Sequence, residues 1–189
     1  MNKYQILWDN NYWIKFGDWL AEPRYSASYH EEKIIIRQTG DSLIATYDDY
    51  KFIVRDNLYT IVNTSSSYLS LKYILGILNS SFLNWYYQNI INNEKGEALA
   101  QVKRGHLAIL PIPTLDKSKK ADKTKHDQIV SLVDQMLELK QKAIAEPNQQ
   151  LKTMIARQIE GVDKAIDKAV YGLYNLSEND IKVVEGNKC

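Results

Sequence analysis

The sequence predicts an α+β fold: a small mixed or antiparallel sheet with a buried helix, followed by an antiparallel helical hairpin. Three observations predict it. A β-branched run, Ile34, Ile35 and Ile36, is bounded by Glu31-Glu32-Lys33 and by the turn signal Thr39-Gly40-Asp41. A long apolar phrase, KYILGILNSSFLNWYY, runs from Lys72 to Tyr87. Beyond Pro113 the pattern changes to two heptad-like stripes separated by Pro147-Asn148.

Each element follows in order. The isoleucine run predicts a strand, and Ser42 to Tyr47 (SLIATY) predicts its return. Lys51 to Val54 (KFIV) and Leu58 to Asn63 (LYTIVN) predict two more, which makes a four-stranded sheet. Leu71, Ile74, Leu75, Leu78, Phe82 and Trp85 recur at spacings of three and four, so Leu69 to Ile91 predicts one mostly buried helix. Asn92 to Gly96 predicts a loop, and Lys103 to Leu110 leads to Pro111-Ile112-Pro113, which cannot stay helical. A linker from Thr114 to about Lys123 follows. Ile129, Leu132, Met136, Leu139 and Ala143 then form one stripe, and Ile155, Ile159, Val162, Ile166, Ala169 and Leu173 the other. A short break between two such stripes predicts an antiparallel pair. Ser177 before Glu178 and Asp180 predicts the cap of one last short helix. The expected organisation is residues 1–113 as one unit and residues 114–189 as the hairpin and C-terminal helix.

Composition narrows the class. Apolar residues are 44% of the 189 and charged residues 25%, the balance of a soluble domain with a core. No apolar run reaches the roughly 18 residues of a membrane span, so no membrane partner is expected. The N-terminus MNKYQILWDNN has no signal-peptide layout, and the single cysteine is Cys189, so a reducing cytoplasm is expected. Net charge is +1, but Gln101 to His126 holds 7 Lys and Arg against 2 Asp and Glu. Such a stretch can track phosphates, though a solvated lysine-rich linker explains Lys117 to Lys125 equally well.

Catalytic patterns are sparse. The four prolines, Pro23, Pro111, Pro113 and Pro147, form no Pro-Pro pair, so the Asn/Asp-Pro-Pro-Tyr/Phe phrase of adenine amino-methylation is missing. No Gly-rich cofactor loop is present. Glu31 and Lys33, with Asp18 upstream, make a short carboxylate–lysine pattern that a divalent-metal nuclease could use. Charge clusters of this size are far more often exposed strand entries. His30, His106 and His126 have no metal-ligand spacing.

Binding has better candidates. Lys33 and Arg37 lie four apart and share one face of a strand, and Gln38 faces the other way. Arginine takes guanine bidentately, glutamine takes adenine, and lysine meets phosphate. The plain alternative is that Lys33 and Arg37 pair with carboxylates such as Glu31 or Asp48. Lys103-Arg104-Gly105-His106 forms a basic turn before Pro111, where the glycine permits close backbone approach. Leu78-Asn79-Ser80 reads as structural, with Asn79 and Ser80 bonding backbone locally.

The order of these phrases resembles the C-terminal target-recognition domain of TaqI-like and type IIG restriction-modification enzymes, and the related layout of type I specificity subunits. The resemblance spans about Gly17 to Lys182. Its entry phrase is Trp19, Leu20, Pro23 and Arg24, followed by Lys33, Ile34 and Arg37. It implies sequence-specific recognition of double-stranded DNA on behalf of an adenine methyltransferase or endonuclease domain, in cis or in trans. Arg24, Lys33, Arg37, Gln38, Lys103 and Arg104 are then the DNA-binding candidates. No catalytic residue or cofactor is expected in this chain; S-adenosylmethionine and Mg²⁺ would belong to the attached or partner domains. The alternatives are the nuclease of Asp18, Glu31 and Lys33, and a helical interaction module without nucleic acid.

Overall fold

The computed structural model describes residues 4–7, 13–15, 31–54, 57–63, 67–92, 94, 96–97, 100–116 and 118–186. The fold is α+β, as the sequence predicts, with a long helical hairpin at its C-terminal end. Strands β1 (Tyr4–Leu7) and β2 (Trp13–Lys15) form a separate antiparallel pair that the sequence pattern did not announce. The main sheet has three strands, β3 (Lys33–Arg37), β4 (Ala45–Asp48) and β5 (Leu58–Val62), in the order β4-β3-β5. Both outer strands run antiparallel to β3.

The expected fourth strand at Lys51–Val54 is absent, for a local reason. The Asp48 carboxylate accepts hydrogen bonds from the Tyr50 N–H at 2.9 Å and the Phe52 N–H at 2.9 Å. Lys51 between them has φ 63°, left-handed and incompatible with a strand. The donors a ladder would need are consumed by one side chain. Because β4 and β5 flank β3 in the same direction, the chain that leaves β4 at Asp48, beside Lys33, has to cross to the other end of the sheet to begin β5 at Leu58, beside Arg37. The crossing begins on the face that carries Lys33 and Asp48, a cross-strand pair.

Ile34 and Ile36 are fully buried on the opposite face. Helix α1 (Leu71–Leu78) contacts β3 and β4 and supplies Leu71, Tyr73, Leu75, Ile77 and Leu78 to the same core. The single helix expected over Leu69 to Ile91 is broken after α1. Helix α2 (Ser81–Tyr86) starts afresh and runs on into a π-helical turn at Tyr87–Ile91. The break is made by the two residues at its centre. Ser80 takes an extended backbone, accepts from the Leu83 N–H at 3.2 Å and donates to the Ile77 carbonyl at 2.7 Å. Asn79 turns instead to the sheet.

The Asn79 amide clips the outer edge of β4. Its Oδ1 accepts from the Ala45 N–H at 2.9 Å and its Nδ2 donates to the Ala45 carbonyl at 2.9 Å. Asn84 Oδ1 takes the Leu43 N–H at 2.8 Å. Two side chains therefore occupy backbone groups that an open edge would offer to another chain. Asn79→Ala is expected to cost about 1–3 kcal/mol, the net worth of two hydrogen bonds. Asn79→Asp, which keeps the acceptor and loses the donor, should fall between. Urea midpoints of the two variants check this; midpoints equal to wild type would mean that water substitutes fully for the amide.

Helices α3 (Arg104–Ala108), α4 (Lys120–Ala145), α5 (Gln149–Tyr174) and α6 (Glu178–Val184) follow. The lysine-rich stretch is thus partly helix: α4 takes it in from Lys120. Asn148 caps α5, its Oδ1 accepting from the Gln150 and Leu151 N–H groups. Asn175 closes α5 in the left-handed region at φ 52°. Ser177 and Asp180 form a capping box at α6.

The hairpin docks on its own chain. Gly76 of α1 meets α4 so closely that a Cβ there would lie 2.7 Å from Ile129 Cγ2 and 3.0 Å from Val133 Cγ2. The Asp167 carboxylate of α5 caps the first turn of α2, accepting from the Ser81 N–H at 2.7 Å and its hydroxyl at 2.6 Å. His126 Nε2 accepts from the Ser70 N–H at 3.2 Å, and its ring stacks on Tyr73. That bond requires the neutral tautomer with Nδ1–H facing Asp127, 3.0 Å away. The Pro111 and Pro113 carbonyls accept from the Tyr174 and Tyr73 hydroxyls, which fixes the Pro-Ile-Pro turn between α1 and α5. Val133, Val170 and Tyr171, outside the heptad stripes, are buried, because each hairpin helix faces its partner and the helices of the first unit at once.

Candidate nucleic-acid interface

The end of β3 and the basic turn meet. Residues 100–102 run antiparallel beside 38–40: the Val102 N–H donates to the Gln38 carbonyl at 2.7 Å, and the Gly40 N–H donates to the Ala100 carbonyl at 2.8 Å. Thr39 and Gln101 form the bridge between them. The added segment leads straight through Lys103 into α3. Arg37, Gln38, Lys103 and Arg104, distant in the chain, are brought to one end of the sheet.

Each side chain there has a distinct setting. The Arg37 guanidinium lies over Gly40, where a Cβ would come within 2.5 Å of Nη2; Gly40 also has φ 126°. A side chain at position 40 would therefore displace Arg37 and strain the turn. Arg37 Nε is buried without a hydrogen-bond acceptor among the described residues. Gln38 is half-buried, its backbone held by Asn57 and Val102. Arg104 is exposed at the first position of α3.

Lys103 is exposed and pairs with the Glu94 carboxylate, which also accepts the Gln101 N–H at 3.1 Å. The Lys103 hydrogen bond, and then the Gln101 N–H, hold the Glu94 carboxyl below the usual carboxylate range. Exposed ion pairs of this kind contribute little, so Lys103 can trade Glu94 for a phosphate. Beneath, the Tyr87 hydroxyl faces His106 Nδ1 at 3.3 Å and the Gln101 carbonyl at 3.4 Å, and burial pushes its pKa up to about 12. Tyr87 thus ties both the added segment and α3 to the buried helix. Sequence reading missed Tyr87 and Glu94, since only the folded turn brings them beside residues 101–106. Gly105 stands open, with no atom within 4 Å of where its Cβ would be.

Lys33 is the exception among the described candidates. It sits at the far end of β3, 0% exposed, with its ammonium 2.8 Å from Asp48 Oδ2. A buried, ion-paired lysine is not available to a phosphate, so it leaves the candidate interface; its role is to hold the sheet and the crossing segment. From Glu31 it also meets the main-chain carbonyl, at 3.3 Å. Arg24, together with Asp18, Trp19, Leu20 and Pro23, lies outside the described residues. No group of three or more His, Cys, Asp or Glu able to hold a metal occurs among the described residues. None of the described helices is long and apolar enough to cross a membrane.

Compared with known families, residues 1–112 match the model of the TaqI-like C-terminal specificity domain. No curated protein matches the chain. The matched stretch contains the whole sheet, α1 to α3 and all the candidate residues at the end of β3, and stops within the Pro-Ile-Pro turn.

Proposed function

The chain belongs to the TaqI-like C-terminal specificity domain family, and from that we propose that it reads duplex DNA sequence-specifically for a restriction-modification enzyme. The family supports the DNA-recognition role. The observation that carries the finer reading is the convergence of Arg37 and Gln38 with Lys103 and Arg104 at one end of the sheet. An arginine can take a guanine edge bidentately and a glutamine an adenine edge in the major groove, which is the part this reading gives Arg37 and Gln38. Lys103 and Arg104 supply phosphate contacts that set register.

In this reading the chain contributes recognition, and the chemistry belongs to an adenine-N6 methyltransferase or endonuclease domain in cis or in trans. S-adenosylmethionine and Mg²⁺ are bound there.

Two variants test the division of labour. Arg37→Ala should weaken binding to a selected target by roughly 1–3 kcal/mol more than binding to random duplex. Arg104→Ala should weaken both alike and reduce the log–log salt slope by about one unit. Target selection from a random duplex pool, followed by binding isotherms at two salt levels, reads both effects. A pool that enriches no sequence would overturn sequence-specific reading, and unchanged isotherms for both variants would overturn this end of the sheet as the interface.

A further inference from the structure

The segment that crosses the sheet presents its aromatic residues outward. Tyr50 is 70% exposed and Phe52 62% exposed, and their rings stack at 5.8 Å between centroids. Lys51 between them is also exposed. Isolated exposed apolar residues are ordinary. Here, however, two large rings and a cation stand together on a short loop.

The loop is held in this form. Asp48 binds the Tyr50 and Phe52 N–H groups, and is itself fixed by buried Lys33. Lys51 is one of two non-glycine residues at positive φ among the described residues; the other, Asn175, closes a helix, where that conformation is common. A strained lysine flanked by outward rings and fastened by a buried ion pair is a preorganised display of two π-faces and a charge.

We propose that Tyr50, Lys51 and Phe52 form a second DNA contact of this domain, in which the rings stack on a base that has left the duplex stack. The inference rests on the DNA reading above and deepens it. A ring face has no code for the edges of paired bases, but it fits the face of an unstacked one. Such a base is present whenever an enzyme acts on an extruded nucleotide, because extrusion also leaves its former partner unpaired. Lys51 meets the adjoining phosphate. The distance is suitable too. The loop leaves the sheet at the Lys33 end, and the four-residue step to Arg37 spans ~13 Å at strand rise, or about four base steps along one strand.

The test uses the full chain and two duplexes of one sequence. One is fully paired, and the other carries a single unpaired 2-aminopurine, whose fluorescence falls when it stacks on an aromatic ring. Wild type should bind the bulged duplex more tightly and quench it. The double variant Tyr50→Ala/Phe52→Ala should lose roughly 5- to 150-fold on the bulged duplex, the range for one stacked base. On the paired duplex it should change by less than about threefold, and its melting temperature should stay at the wild-type value, since both side chains are exposed. Wild-type binding to paired DNA without preference for the bulge, or an equal loss by the variant on both duplexes, would overturn the loop contact alone. Failure of wild type to bind either duplex would overturn the DNA reading and this contact with it.

Discussion

Asp48→Ala is expected to destabilise the domain by about 3–5 kcal/mol, the usual cost of removing one partner of a buried ion pair. Lys33 and Asp48 are 0% and 2% exposed, and their charged atoms lie 2.8 Å apart. Without the carboxylate the buried ammonium loses the ion-pair partner that lies 2.8 Å from it, and the Tyr50 and Phe52 N–H groups lose their acceptor. The sheet loses the tie between its central strand and β4, and the crossing segment loses its anchor. The pair need not contribute net stability over apolar residues of similar volume. Lys33→Met combined with Asp48→Leu should therefore recover much of the loss suffered by Asp48→Ala. Urea unfolding of the two variants beside wild type measures both. A single-variant cost below about 1 kcal/mol would indicate a solvated pair, and a double variant no better than the single would place the cost in the loop anchor.

That ion pair also shows where a sequence stops being informative. Lys33 begins a strand whose isoleucines announce it, and its alternation with Arg37 is readable from spacing. Which of the two lysine fates it meets, phosphate or carboxylate, depends on Asp48, a partner on another strand. KFIV has the composition of a strand, and its failure to become one is decided by the same carboxylate. The apolar phrase around Asn79 has helical periodicity on both sides of the break. At the break Ser80 turns extended and caps α2, while the Asn79 amide finds Ala45, a partner that no helical pattern contains. The features that were legible are those whose causes are local: the β-branched run, the heptad stripes, the caps at Asn148 and Ser177. At the candidate interface, Arg37, Gln38, Lys103 and Arg104 were each visible as residue types able to meet DNA. Their convergence was not visible, because it rests on the long-range bridge between Thr39 and Gln101.

Ile129→Glu is expected to have an effect of similar size in the other half of the molecule. Ile129 is fully buried and faces Gly76, across a contact that admits no Cβ. The methyls that fill this contact belong to Ile129 and Val133, whose β-branched side chains have little rotamer freedom in a helix. Truncating a buried isoleucine alone costs roughly 2–5 kcal/mol, and a carboxylate at the same place must also be desolvated or protonated. A loss near 4–5 kcal/mol lowers the melting temperature by roughly 10–20 °C in a chain of this length. The position along the hairpin should set the size of the effect. Ile159 is half-buried, so Ile159→Glu should cost less than Ile129→Glu. Ile144, 85% exposed near the tip, should tolerate glutamate within about 0.5 kcal/mol. Thermal melts with light scattering on the three variants give the gradient directly. A steep fall from Ile129 to Ile144, with every variant monomeric where wild type is monomeric, is the signature of a hairpin whose inner half is clamped to α1. Equal tolerance at Ile129 and Ile144 would mean that the clamp at Gly76 does not form. Loss of self-association by Ile144→Glu with an unchanged melt would instead assign the tip to a second copy of the chain.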